Sequence, residues 1–294
     1  SGPNGRGTFF DVRCIALRPT HFSLLDDRLM IELPDVERMI DGFAGNATGK
    51  TVSAVLRDKV ESDDIDPQLT EEKIRGHAID SVERHGRFVV VRFRSGANLV
   101  FHMGSEGRIF LESQTTPPDD DSRIRLQFAA GRELRYAAPG DEGEIHLVDG
   151  EDFSGLGTFE RLGLDPLSED FTAEVFVRLS SAKPRTSLKG ILMNQEIVAG
   201  IGNEYADEIC FQAGYRPDLK IADMSVEQLS RVHTYLKRVL RRATLHWQAA
   251  HADPGWLINR RSPGKTCPRC SSKLKSMSVS GRKTYLCPRC QRMA

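Results

Sequence analysis

The sequence predicts an α+β protein of several domains: an N-terminal β-sandwich or flattened barrel, an α-rich domain and a small C-terminal module with four cysteines. Three observations support this prediction. Short β-branched and aromatic runs fill the stretch from about residue 30 to 165, helical periodicity follows it, and two C-x2-C pairs stand near the end. At 294 residues the chain is long enough for two domains of ordinary size.

The predicted sandwich contains four clear strand segments, separated by Gly, Ser, Asn and Pro. These segments are 87–93, 98–102, 108–111 and 124–128. Residues 34–43 form a helical pattern instead, because their apolar residues recur on one face. The stretch 115–121 contains two prolines and three aspartates, so we expect an exposed loop there.

Helical patterns dominate beyond Pro166, which indicates a second domain. The predicted helices are 173–180, 187–194, 203–213 and 225–248. We therefore divide the sequence into four parts. They are an N-terminal extension or tail (1–29), the sandwich (30–165), the α-rich domain (166–258) and the cysteine module (259–294).

Composition excludes some classes of protein and favours one kind of partner. No run of eighteen apolar residues exists, and charged residues are scattered through the first thirty, so we expect a cytoplasmic protein without a membrane span. The net charge is zero, but the two halves differ. From residue 171 onward there are 21 Lys or Arg and 9 Asp or Glu, against 20 and 32 before it. This asymmetry favours a polyanion partner for the basic half, the alternative being a merely solvated surface.

The four cysteines of the C-terminal module have the spacing of a zinc site. Cys267 and Cys270 form one C-x2-C pair, Cys287 and Cys290 form another, and sixteen residues separate the pairs. Four thiolates at this spacing can close a tetrahedral site between two hairpin turns. Two disulfides or four free thiols are the alternative. Because all four ligands come from the protein, we expect one structural zinc ion with no open position for catalysis.

Between the cysteine pairs lies a polar, basic strip that includes Arg282. A two-stranded hairpin tip with these charges is a natural phosphate contact, and Arg282 is best placed to reach a duplex.

Several segments in this order resemble one family. They are residues 32–37, the turn 162–167, the block 189–208 and the four-cysteine tail. Over residues 30–294 the chain resembles the formamidopyrimidine-DNA glycosylase and endonuclease VIII family. The resemblance implies a β-sandwich, a helix-two-turn-helix domain and a zinc finger, with damaged duplex DNA in the cleft between the domains and the protein acting as a monomer.

The glycine turn before residue 203 is expected to hold a phosphate. Gly200 and Gly202 let the backbone turn tightly, so that the amides of the next helix and the Asn203 side chain can face an anion. In isolation the same turn would be an ordinary helix cap. By similarity, Lys189 faces the same DNA backbone.

The family uses an N-terminal proline amine as its nucleophile, and this residue is missing here. Ile31 stands in its place, and the nitrogen of Ile31 is an amide because residues precede it. Arg87 stands where the family has a catalytic lysine. It can bind phosphate, but it stays charged and cannot act as an amine nucleophile.

Side chains that fill the gap of a flipped base also differ. The nearest counterparts here are Ser105, Asp141 and Glu142, and the two acidic residues would repel DNA. Base extrusion is therefore expected to be weakened.

Glu32 is retained, and the sequence leaves two roles for it. The family resemblance implies acid/base chemistry beside the sugar, and a carboxylate can orient a water against an anomeric carbon. Alternatively, Glu32 caps or pairs at the start of the following helix. A catalytic role requires the carboxylate to be open to the cleft.

Two functions follow from these alternatives. The first is a DNA-repair glycosylase that hydrolyses the bond to a modified base, such as a cationic N-alkylated purine, without strand cleavage through an amine. The second is a non-catalytic protein that binds damaged DNA. A zinc-dependent hydrolase is a poor third, because four cysteines should saturate the metal.

Overall fold

The N-terminal domain is a sandwich of two antiparallel four-stranded sheets. The computed structural model describes residues 31–58, 65–139, 143–246 and 253–292. The strand orders are β1-β6-β7-β5 and β2-β3-β4-β8. The strands are β1 (Val52–Arg57), β2 (Ile79–His85), β3 (Phe88–Phe93), β4 (Ala97–His102), β5 (Arg108–Ser113), β6 (Ser122–Phe128), β7 (Arg132–Ala137) and β8 (Glu144–Asp149). Alternating apolar residues of both sheets, such as Val91 and Leu126, fill the space between them.

Two helices precede strand β2 and pack on the sandwich. The first, α1 (Leu33–Ala47), contains the predicted 34–43 segment and packs Val36, Ile40 and Phe43 into the sandwich core. Helix α2 (Pro67–Ile74) begins after Asp66, whose carboxylate accepts a hydrogen bond from the amide of Leu69. The sequence analysis did not single out α2 or strands β1, β2, β7 and β8.

The second domain is helical, as expected. Its helices are α4 (Ala173–Ser181), α5 (Leu188–Leu192), α6 (Asn203–Ala213) and α7 (Val226–Leu245), whereas the short helix α3 (Gly157–Glu160) precedes this domain and packs Phe159 against the sandwich. Helix α6 begins after Gly202 and ends at Gly214, which has the left-handed φ of 86° that favours glycine. Helix α7 buries one apolar stripe against α4 and α6.

The C-terminal hairpin consists of β9 (Lys275–Val279) and β10 (Arg282–Leu286). Its two-residue turn, Ser280 and Gly281, has positive φ at both positions, as a tight hairpin of this kind requires. The fold class predicted from the sequence is therefore confirmed: sandwich, helical domain and a four-cysteine finger.

Arg84 on β2 ties the sandwich to the second domain. Its guanidinium lies 2.6 Å from the carboxylate of Glu37 on α1 and 2.6 Å from that of Asp165 at the start of the helical region. Only 5% of the Arg84 side chain is exposed, so this pair of contacts is shielded from solvent. Among the described helices, none combines the length and apolarity needed to cross a bilayer.

Candidate nucleic-acid interface

Glu32 joins the two domains. Its carboxylate accepts hydrogen bonds from the backbone amides of Gly202 (2.8 Å), Glu204 (2.8 Å) and Tyr205 (3.3 Å), at the N-terminus of α6. A Cβ on Gly202 would lie 2.7 Å from the Glu32 side chain, so only glycine permits this approach. The amide of Leu33 adds a 2.9 Å bond to the carbonyl of Gly200.

The environment of Glu32 favours its protonated form. Burial, followed by the charge of Glu204, raises the pKa of Glu32 to about 8, although the backbone hydrogen bonds oppose the shift. The residue is 1% exposed. Of the two roles that the sequence left open, this geometry matches the structural one, because the carboxyl is enclosed by backbone bonds and not open to the cleft.

Arg87 and Arg282 lie on the same side of the molecule as Glu32. Burial and the charge of Arg282 lower the pKa of Arg87, whereas the charge of Glu32 raises it. Arg87 follows Gly86 in the turn between β2 and β3, so its predicted place on the strand is wrong by one residue. Its side chain is partly buried, and it stands at the edge of the sandwich that faces Glu32.

The predicted phosphate contact of Lys189 needs correction. The side chain is fully buried, and its ammonium donates to Asn203 Oδ1 (2.6 Å), Asp207 Oδ1 (2.6 Å) and Thr284 Oγ1 (2.7 Å). An ammonium has three donors, and all three are used. Burial also lowers the pKa of Lys189. In this structure Lys189 therefore holds other residues in place and has no free donor for a phosphate.

Asn203 and Arg282 are placed where a phosphate could reach them. Asn203 is the first residue of α6, and because Oδ1 faces Lys189, its Nδ2 amide group points the other way and can donate outward. Arg282 is exposed at the start of β10, directly after the hairpin turn. Arg87, Asn203 and Arg282 thus stay candidates for contacts with a DNA backbone.

Asp207 connects the helical domain to the finger. Besides its bond to Lys189, it accepts hydrogen bonds from the amide of Tyr285 on β10 (3.0 Å) and from Arg261 (3.1 Å). Arg261 also donates to Glu204 at 2.5 Å. The hairpin that carries Arg282 is therefore fixed on α6 by a buried polar network, which orients the arginine relative to Asn203.

His102 lies near Arg87, and the sequence analysis did not single it out. It ends β4, its ring centroid lies 4.6 Å from that of Phe88, and its buried Nδ1 has no hydrogen-bond partner among the described residues. Burial and the nearby charge of Arg87 lower the pKa of His102 to about 4, so the imidazole is neutral at physiological pH. The signal in the sequence was a polar residue at the end of an otherwise apolar strand.

The position of the missing proline is filled by an ordinary peptide. The amide of Ile31 donates a 3.2 Å hydrogen bond to the carbonyl of Ser105, and the Ile31 side chain packs against the sandwich core. Ser105 is 8% exposed. The other two counterparts of the family's gap-filling residues, Asp141 and Glu142, lie outside the described residues.

The four cysteines fit a zinc ion. Their sulfurs all lie within 4.8 Å of one another, with 3.7 Å between Cys267 and Cys290 and 3.5 Å between Cys270 and Cys287. A tetrahedral site with Zn–S bonds of about 2.3 Å separates its sulfurs by about 3.8 Å, whereas a disulfide needs about 2.05 Å. The geometry favours the predicted structural zinc over disulfides.

Three domain families match the chain in order. Residues 30–145 match the formamidopyrimidine-DNA glycosylase N-terminal domain, 162–250 match the formamidopyrimidine-DNA glycosylase H2TH domain, and 264–292 match the zinc finger found in FPG and IleRS. This chain belongs to the formamidopyrimidine-DNA glycosylase family. The predicted resemblance and the prediction of one structural zinc ion are thereby confirmed.

Curated relatives in this family match the chain over most or all of their own length. The formamidopyrimidine-DNA glycosylase of Syntrophomonas wolfei is 30% identical over 75% of this chain and 85% of its own. That of Halorhodospira halophila is 30% identical over 90% of this chain and 100% of its own.

Solved structures of the family share the fold. The formamidopyrimidine-DNA glycosylase of Lactococcus lactis, non-covalently bound to DNA containing an AP site, superposes with a TM-score of 0.79 at 22% identity. The match covers 89% of this chain and 99% of that one. A complex of the Lactococcus lactis enzyme with DNA containing Fapy-dG gives a TM-score of 0.78 at 22% identity, with 89% and 100% of the chains covered.

Proposed function

We propose that this protein is a DNA glycosylase that binds damaged duplex DNA and releases the modified base by hydrolysis, without an amine nucleophile. Family membership and the convergence of Arg87, Asn203 and Arg282 near Glu32 support DNA binding and base release. All of these residues come from one chain, which supports action as a monomer.

The environment of Ile31 carries the proposal of hydrolysis. A secondary amine can attack a sugar and form an iminium, whereas the nitrogen of Ile31 is an amide whose hydrogen is bonded to Ser105. Its lone pair is delocalised into the peptide bond, so it is not nucleophilic. The residue in the family's proline position therefore cannot open the covalent route.

The cationic side chains near Glu32 do not replace the missing amine. Arg87 and Arg282 are guanidinium groups, which keep their protons in proteins. The amine of Lys189 is enclosed by three acceptors with no exposed surface. A water molecule is consequently the proposed nucleophile, and a base that is already a good leaving group, such as an N-alkylated purine, is the favoured substrate.

Glu32 is the proposed catalytic carboxyl because of where it is held, and this role requires that DNA binding open the enclosed carboxyl to the cleft. Three backbone amides fix it beside Arg87 and the start of α6, where Asn203 would hold a phosphate of the same nucleotide. With a pKa of about 8, its ionised fraction grows across the neutral range. An ionised Glu32 would orient the water, and Lys189 would act through Asn203 as a positioning residue.

A lesion-release assay tests this function. Oligonucleotide duplexes, each with one modified base, are incubated with the protein and analysed with and without alkaline work-up. Strand breaks that appear only after alkali show an abasic site that the protein made but could not cut. Breaks of equal intensity without alkali would contradict the hydrolytic route.

The burial of Glu32 favours one second candidate, a lesion-binding protein without catalysis. A carboxyl that is 1% exposed and bonded to three amides performs a structural role without any reaction. This candidate predicts tight binding to lesion-bearing duplexes and no alkali-sensitive product on any lesion. The same assay therefore separates the two functions.

A further inference from the structure

An open, polar groove lies between the hairpin of the finger and the start of α5. Its volume is about 420 Å³, and it is lined by Arg185, Thr186, Ser187, Asp218, Lys220, Ser278, Val279 and Ser280. We propose that this groove binds backbone phosphates of the DNA strand where the duplex continues past the hairpin. The proposal rests on the proposed function, because it extends the DNA path beyond Arg282.

The lining of the groove carries an excess of positive charge, with two cationic side chains and one carboxylate. Arg185 and Lys220 are both exposed, and neither forms an ion pair with any residue in the described parts of the chain. The acidic residue of the lining, Asp218, is held by Arg216 through two hydrogen bonds of 2.9 and 2.7 Å. This contact, together with the more distant charge of Lys220, lowers the pKa of Asp218.

The floor of the groove is rigid before any ligand arrives. Two chain segments, 186–189 and 217–221, lie side by side and are joined by backbone bonds. The amide of Leu188 donates to the carbonyl of Leu219 at 2.7 Å, and the amide of Ile221 donates to that of Thr186 at 3.0 Å. Arg185 and Lys220 therefore project from a fixed frame, which reduces the entropy lost on binding.

The wall formed by the hairpin connects this groove to the predicted DNA contact. Ser187 Oγ lies 3.1 Å from Ser280 Oγ, so the tip of the hairpin rests on the floor. Ser280 occupies the left-handed region with a φ of 51° in the two-residue turn that leads to Arg282. A strand whose phosphate contacts Arg282 at the hairpin tip would thus have its next phosphates beside the groove.

The chemistry of the lining selects a phosphodiester. Two unpaired cations and several serine or threonine hydroxyls provide donors, while Val279 is buried and offers little apolar surface. Backbone contacts in DNA complexes come from such Arg, Lys, Ser and Thr side chains. An acidic protein segment would meet the same charges. We favour DNA because a strand that contacts Arg282 would extend into the groove.

The experiment measures DNA affinity against salt for the R185A/K220A variant of the full chain. The probes are a long duplex with a central tetrahydrofuran abasic analogue and two shorter duplexes. Each shorter duplex is truncated on one side of the analogue. Each lost phosphate contact should flatten the slope of log affinity against log salt by about one unit. We expect a slope lower by about two on the long duplex and no difference on one of the shortened duplexes.

A matched variant, R75A/R94A, removes two exposed arginines of the sandwich that are paired with Glu71 and Asp80. It should change the slope little on any duplex. Methylphosphonate substitution then identifies the phosphates: positions beyond the Arg282 contact that weaken binding of the wild type should have no effect on R185A/K220A.

An unchanged slope for R185A/K220A, or an identical methylphosphonate pattern in both proteins, would overturn the groove proposal. Tight binding to an acidic peptide that R185A/K220A abolishes, with DNA affinity unchanged, would overturn it in favour of a protein partner. Because these readouts are binding measurements, they stand whether or not the wild type releases a base. Failure of the proposed glycosylase function would appear only in the lesion assay.

Discussion

Lys189 donates a 2.6 Å hydrogen bond to Oδ1 of Asn203 and thereby turns the Asn203 amide nitrogen away from the protein interior. One buried lysine thus orients a residue that faces the solvent. The same ammonium holds Asp207 of α6 and Thr284 of the finger hairpin.

Lys189→Met should therefore weaken DNA binding indirectly. The variant loses charged hydrogen bonds worth about 1.5–3 kcal/mol each in stability, and Asn203 loses its fixed orientation. We expect lower affinity with an unchanged salt slope, because no phosphate contact is removed. In a double-mutant cycle with Asn203→Ala, the double variant should lose less binding free energy than the sum of the two single-variant losses. A slope lowered by about one unit would restore Lys189 as a direct contact.

Arg282→Ala should behave differently, since Arg282 is exposed at the hairpin tip. We expect binding to weaken similarly on all sequences and the salt slope to fall by about one unit. Lys273→Ala, which removes another exposed charge of the finger, serves as the comparison. Equal slopes for Arg282→Ala and the wild type would remove Arg282 from the interface.

Borohydride should trap no covalent complex between the protein and abasic DNA. The nitrogen of Ile31 is a hydrogen-bonded amide, and the amine of Lys189 is enclosed. Gel electrophoresis after reduction measures the trapped species. Efficient trapping by the wild type that disappears in Lys189→Met would show that Lys189 becomes exposed on DNA and serves as the nucleophile.

Glu32→Gln should be costly for both folding and catalysis. Both carboxyl oxygens accept backbone N–H groups, and glutamine replaces one of these acceptors with an NH₂ group. The NH₂ group of the buried glutamine would then face a backbone N–H, so that two donors oppose each other. This should destabilise the folded state by about 1–3 kcal/mol. Base release should fall by roughly 10²- to 10⁴-fold. A stable variant with wild-type activity would leave Glu32 without a catalytic role.

The titration of Glu32 should also make stability depend on pH. Its folded pKa of about 8 lies above the ordinary value of 4.5, so the folded state holds a proton that the unfolded state releases. The stabilisation is complete below about pH 4.5 and is lost as the pH rises through about 8. Urea unfolding between these limits should show wild-type stability declining relative to Glu32→Gln. A constant difference would contradict the raised pKa.

Removal of zinc should release the hairpin. Four thiolates bind the ion with a free energy that also folds the finger, and Arg282 is displayed by that fold. Metal analysis of the purified protein should find one zinc per chain. Chelation should lower DNA affinity at least as much as Arg282→Ala does, whereas loss of zinc with full affinity would separate the finger from DNA binding.

Local structural features of this protein could be predicted from its amino-acid sequence alone. Helix α6 runs from Asn203 to Ala213 as predicted, because Gly202 and Gly214 end the helical pattern on both sides. The cysteine spacing predicted the zinc site for a similar reason, since ligands on two tight turns are placed mainly by the turns themselves. The missing nucleophile at Ile31 needed no structure either.

Tertiary structure decided which polar groups are available. Lys189 is as basic in sequence as any exposed lysine, but α6 and the hairpin close over it, and only their packing provides its three acceptors. Glu32 meets amides 170 and more residues away, and these hydrogen bonds lower its pKa, whereas the burial that accompanies this contact raises it more strongly. Burial and distant partners depend on how the domains dock, which no local pattern encodes.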